Sequence, residues 1–238
     1  MPRFVAALAF AFGFAVLTPV HAQAPVPQVP SLALNVGGSV VPISPRQCGL
    51  RAMDALVATE QFPFATIQDD GSVLGWNDMT SVLVLTFPTQ EGATLYMVVA
   101  VGRNSKEADR IRNTVRDRIC APSDAPPSTP TLVHDESALE SKAPWIHHEA
   151  NLRPVISTLK YYQPVVSLLL EKRGFQVFNA NNNLMLGGDH NRVVAAFAVP
   201  GKNAVTTNFG VVVADEDRAA ADRFCQQFYA SVSKLIYE

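Results

Sequence analysis

Cysteine is scarce in this sequence: 238 residues contain three, Cys48, Cys120 and Cys225, far apart and without Cys-x-x-Cys spacing. That excludes a zinc site built on cysteine, and three thiols permit at most one internal disulfide. Excess charge of either sign is also missing, since 19 Lys and Arg stand against 21 Asp and Glu, which excludes nucleic-acid binding by bulk positive charge. No apolar run reaches the about 20 residues that a spanning helix needs. The phosphate loop G-x-x-x-x-G-K-[ST], a G-x-G-x-x-G turn, the G-x-S-x-G elbow and an H-E-x-x-H helix are all absent. Hydrophobic side chains, at 48%, are plentiful enough for a packed core, so the chain is not a disordered polymer.

The first 22 residues place Arg3 before an apolar stretch over 4–17 and end Val20-His21-Ala22. These are the parts of a secretory signal peptide. Cleavage is expected before Gln23, because the neighbouring site would put Pro25 directly after the cut. The expected destination is the bacterial periplasm or the medium.

Beyond the signal the chain reads as a repeat. Residues 23–43, opening with Pro25, Pro27 and Pro30, read as an extended leader, and the proline-rich residues 121–153 as a linker. Residues 44–120 and 154–238 follow one pattern. Phe64, Val84 and the Asp78 turn match Phe175, Ala195 and Asp189 at an offset of 111 residues; past the next loop the offset is 113, pairing Ala108 with Ala221 and Ile111 with Phe224. Each copy predicts a helix, a three-stranded antiparallel meander and a closing helix. The fold class is α+β, an α-β-β-β-α module in tandem. Ser44-Pro45-Arg46-Gln47 supplies an N-cap, a proline at the first helical position and a capping-box glutamine. The apolar runs 82–85, 97–101 and 211–213 lack period-two alternation, so both faces of those strands should be covered.

Leu186-Gly187-Gly188-Asp189-His190 resembles the Gly-Gly-Asp-His motif of the arginase and agmatinase (ureohydrolase) family. The resemblance implies that Asp189 and His190 approach a manganese pair. It covers five residues, and that family's Asp-Ala-His-x-Asp stretch is absent. The repeat offers another account, since Gly and Asp form turns and the first copy also turns here. His147-His148-Glu149 and His134-Asp135-Glu136 offer imidazole and carboxylate to a divalent metal, yet as linker residues they read more simply as solvated. Asp69-Asp70-Gly71 reads as a hairpin turn. Arg110, Arg112, Arg116 and Arg118, interleaved with acids, read as a salt-bridged helix face. Trp76, in an expected turn, and Trp145, in the expected linker, are the candidate contact residues. For Trp145 the favoured role is to pin the linker onto a repeat.

The functional expectation is an exported binding or assembly module acting on a protein, peptide or envelope component, with no cofactor, no nucleic acid and no spanning segment, and with self-association open to it. The alternative is a periplasmic hydrolase or metal-dependent enzyme in which His147, His148, Asp189 and His190 converge only in the fold. Three free cysteines are expected. In a three-stranded meander the two flanking helices run parallel, which separates Cys48 from Cys120 by about 20 Å, beyond disulfide reach.

Overall fold

The computed structural model describes residues 32–60, 62–89, 92–121, 143–181, 183–201, 203 and 205–237. The signal peptide, the start of the leader and His134-Asp135-Glu136 lie outside the described residues.

The architecture is α+β, with two antiparallel five-stranded sheets and four helices among the described residues. The first half runs β1 (Ala33–Val41), α1 (Pro45–Asp54, continued by a π-helical turn Ala55–Thr59), β2 (Phe64–Ile67), β3 (Val73–Trp76), β4 (Thr80–Pro88), β5 (Thr94–Gly102) and α2 (Ser105–Cys120). The second runs β6 (Trp145–Pro154), α3 (Val155–Glu171), β7 (Gln176–Asn181), β8 (Leu184–Gly188), β9 (Arg192–Pro200), β10 (Thr206–Asp215) and α4 (Arg218–Tyr237). The sheet orders β1-β5-β4-β3-β2 and β6-β10-β9-β8-β7 are the same arrangement twice.

The expectations for the Ser44 box, the Asp69-Asp70-Gly71 turn and the arginine face of α2 are met. Ser44 caps α1 in a capping box with Gln47, and Asn104 caps α2, which buries Ala108, Ile111, Val115 and Ile119. Gly71, at φ 82°, closes the Asp69-Asp70 turn in a left-handed conformation that glycine adopts without strain. The α2 arginines pair with acids: Arg110 with Glu60 and Glu107, Arg112 with Asp109, and Arg118 with Asp54.

The three-stranded meander is corrected to four strands, with a fifth from outside. β2 and β3 are two strands joined in a hairpin, and β3 pairs on with β4. The leader supplies β1 and the end of the expected linker supplies β6, each paired with the last strand of its own half. The extra meander strand changes the parity of the chain path, so the flanking helices run antiparallel. Along α1 and the turn after it, Arg51, Asp54 and Glu60 meet Ile119, Arg118 and Arg110 in that order.

The offset between β2 to β4 and their counterparts is also one residue longer than read. Asn77 Oδ1 accepts the Met79 and Thr80 amides, and Asp189 Oδ1 accepts the Asn191 and Arg192 amides, so Asp189 stands where Asn77 does, not Asp78. A slip of one residue exchanges the two faces of a strand. Val84, on the helix side, therefore matches Ala196, while Ala195 faces the other way.

The unalternating strands are explained by their surroundings. Val82, Val84, Val98 and Ala100 pack under α1 and α2. Val194, Ala196, Val211 and Val213 pack under α3 and α4. The opposite faces meet each other: Leu83, Leu85, Phe87, Val99 and Val101 pack against Val193, Ala195, Phe197, Val212 and Ala214. The molecule is thus a four-layer helix–sheet–sheet–helix sandwich with the sister repeat covering each free face.

Candidate functional site

The candidate residues fall into three places. Trp76 ends β3 and Trp145 begins β6, and they meet across the two halves with ring centroids 5.8 Å apart, edge to face. Trp76 also stacks on Phe64 at 5.5 Å. Trp145 is fixed from the other side, since its Nε1 donates to Asp222 Oδ1 at 3.0 Å and the Arg218 guanidinium lies 4.0 Å from its ring centroid. Both tryptophans therefore join elements of this chain to each other, a role in which a large half-buried ring contributes area as well as a hydrogen bond.

Period-two alternation sends His147 and His148 to opposite faces of β6. His147 faces α4, with Nδ1 2.9 Å from Asp222 Oδ1 and Nε2 3.4 Å from Glu149 Oε1. His148 faces the first half, with Nε2 2.7 Å from Asp70 Oδ2. That hydrogen bond holds the Asp70 carboxyl well below the usual carboxylate range, with the Ser72 hydrogen bonds adding to it. Asp189 is occupied by its turn, and His190 is exposed beside it. Because β10 separates β6 from β9, two strand spacings, about 10 Å, lie between His147 and the strand that follows that turn. The four residues are not brought together, and no cluster of three or more His, Cys, Asp or Glu among the described residues has metal-binding geometry.

Two grooves open between the sheets, where the inter-sheet core gives out. The tilted Phe87–Phe197 pair, 5.7 Å between centroids, contributes one ring to each. The first groove, about 480 Å³, is walled by β1 residues 36–40, by Leu95 and Met97, and by Leu184, Phe197 and Val199 of the second half. The second, about 430 Å³, lies among Asp70, Ser72, residues 85–88 and residues 150–152 and is more polar. In the first, Val40 is 53% exposed at the mouth. The strand β1 has β5 on one side only, and among the described residues no strand pairs with its outer edge. One edge carbonyl, Val36 O, accepts from Arg112 Nη1 at 3.1 Å.

Sequence reasoning missed this groove because it read β1 as part of an extended leader outside the repeat and not as a sheet strand. The alternation Leu34, Asn35, Val36, Gly37 was the available signal. The carboxylates Asp70 and Asp222, which receive the two histidines, carried none.

No family model matches the chain, and no curated protein matches it. Among solved structures it is similar to StfQ, a di-domain ARO/CYC from the steffimycin biosynthetic pathway, at 9% identity over 85% of this chain and 96% of that one, with a TM-score of 0.27. It is also similar to BexL, a di-domain ARO/CYC from the BE-7585A biosynthetic pathway, at 7% identity over 87% of this chain and 99% of that one, TM-score 0.24. A third is the immunity protein TplEi of the type VI secretion system from Pseudomonas aeruginosa, at 13% identity over 85% and 90%, TM-score 0.19. At these TM-scores none of them bears on what this chain does.

Proposed function

We propose that this chain is an exported binding module that takes an extended peptide segment in the first inter-sheet groove. The observation that supports the reading is the pairing, in one place, of a β1 edge that no strand among the described residues pairs with and an apolar wall from the other half, Leu184, Phe197 and Val199. An extended peptide added to a sheet edge satisfies backbone groups and inserts alternate side chains to one face, so a groove beside an edge selects segments that are apolar at every second position. Export rests on the charged, apolar and small-residue order of the first 22 residues.

Panning a random-peptide library on the purified mature chain tests this. The expected result is enrichment of peptides with period-two apolar residues that bind the wild type and lose at least tenfold in affinity on Val40→Lys and on Leu184→Lys. Val40 is exposed and Leu184 half-buried, so these variants keep the fold, as circular dichroism would verify. Failure to enrich any sequence, or enriched peptides indifferent to both variants, would overturn the reading.

A further inference from the structure

The antiparallel course of α1 and α2 brings together the two cysteines that a parallel course would have separated. Cys48 lies in the first turn of α1, and Cys120 is the last residue of α2. Arg51, one turn after Cys48 and on the same side of the helix, donates through Nη1 to Ile119 O at 2.9 Å and to Ala121 O at 2.8 Å, the carbonyls on either side of Cys120. The Tyr96 hydroxyl lies 3.0 Å from Cys120 Sγ, while the rest of Tyr96 shares a buried cluster with Cys48. The Cys120 thiol lies close enough to add to the cost, chiefly set by burial, of ionising Cys48, and both thiols act on Tyr96. Both are free thiols in this structure, Cys48 buried and Cys120 exposed.

We propose that Cys48 and Cys120 form a disulfide-forming pair that, when oxidised, staples the start of α1 to the end of α2 and closes the first repeat. The oxidant is a disulfide of the glutathione type or a protein disulfide, acting by exchange. Cys120, the accessible partner, loses its proton and attacks one sulfur of the donor, forming a mixed disulfide and expelling one thiolate. Cys48 then passes its proton to that thiolate and attacks Cys120 Sγ, expelling the second, which takes up from solvent the proton that Cys120 released. The net change is two protein thiols and one donor disulfide converted to one protein disulfide and two donor thiols. Burial pushes the Cys48 thiol up to about 12, so the second step is the slow one and accelerates as pH rises. Cys225 takes no part: it is buried against β10, and its Sγ lies 3.5 Å from Val211 O.

The test uses the mature full-length chain, equilibrated without denaturant in a redox buffer of oxidised and reduced glutathione. The expected outcome is loss of two hydrogens from the intact mass, one titratable thiol after unfolding in place of three, and one proteolytic peptide pair joined through Cys48 and Cys120. The cross-link is expected to raise Tm by about 10 °C, because it closes a long loop. Cys225→Ser should bridge as the wild type does, and Cys120→Ser, altered at an exposed position, should fold but never bridge. Three thiols at equilibrium, a stable glutathione adduct on Cys120 with Cys48 still reduced, a cross-link involving Cys225, or a bridged form melting below the reduced one would each overturn the proposal.

Discussion

At the scale of single residues, the contacts that carry most information are those joining the halves. His148 Nε2 and Asp70 Oδ2, 2.7 Å apart, join β6 to the turn before β3. The Ser81 hydroxyl donates to Pro144 O, and Arg103 Nη2 pairs with Glu216 Oε1 at 2.8 Å. Asp70 is ionised more readily in the folded chain than in the unfolded one, whose aspartates titrate near ~3.9. Its contribution is therefore fully present above that value and is lost as pH falls through the lower folded-state value. The carboxylate is half exposed, which screens the interaction. Asp70→Asn should thus cost about 0.5 kcal/mol at pH 7, a Tm loss of 1–2 °C, and the gap to wild type should narrow as pH drops below ~4. Thermal melts from pH 7 down to pH 3 check this, and a gap that does not change with pH would contradict it.

At the scale of elements, caps and turns were the most legible features, since each is decided by side chains within three or four residues of one another. The Ser44 box and the Asp69-Asp70-Gly71 turn needed no tertiary information. Strand count was harder. The hairpin of β2 and β3 consists of two four-residue strands, too short to show their own period, and β1 and β6 were masked by the prolines around them. The Gly187-Gly188-Asp189-His190 motif shows how a turn imitates a metal site. Asn77 does in the first half what Asp189 does in the second, accepting two backbone amides through Oδ1. An amide oxygen suffices for that task. Asp189→Asn is therefore expected to leave stability within about 0.5 kcal/mol of wild type, whereas Asp189→Ala, which orphans both amides, should cost about 1–2 kcal/mol. Chemical denaturation of the two variants separates the turn from a ligand role; equal losses for Asn and Ala would show that the carboxylate charge matters.

At the scale of the whole molecule, the repeat is not two independent domains laid side by side. Each sheet has helices on one face only, and the other face is as apolar as a core: Leu83, Leu85, Val99 and Val101 on one side, Val193, Ala195, Phe197 and Val212 on the other. That pattern was legible in the sequence as strands without alternation, which fixed that a cover exists. Which surface provides it was not, because the choice among the sister repeat, the leader, the linker and a second chain depends on sheet stacking that no local signal encodes. The inter-sheet layer is close-packed right up to the first groove. Gly210 has no room for a side chain, since a Cβ there would lie 2.3 Å from the Phe197 ring, and Phe197 is fully buried. Phe197→Ala should accordingly cost about 3–5 kcal/mol. The stronger consequence concerns the halves. Residues 32–121, expressed alone, would leave the apolar face of a whole sheet in water, and burying one such side chain contributes about 1.5–3 kcal/mol, so the face cannot remain bare. The fragment should self-associate through it, giving a dimer or larger species by light scattering, and adding the separately expressed residues 143–238 should convert that species to a one-to-one complex. A monomeric fragment with its own cooperative melting transition would show that the sandwich is a docking of two stable domains instead of a single core shared between repeats.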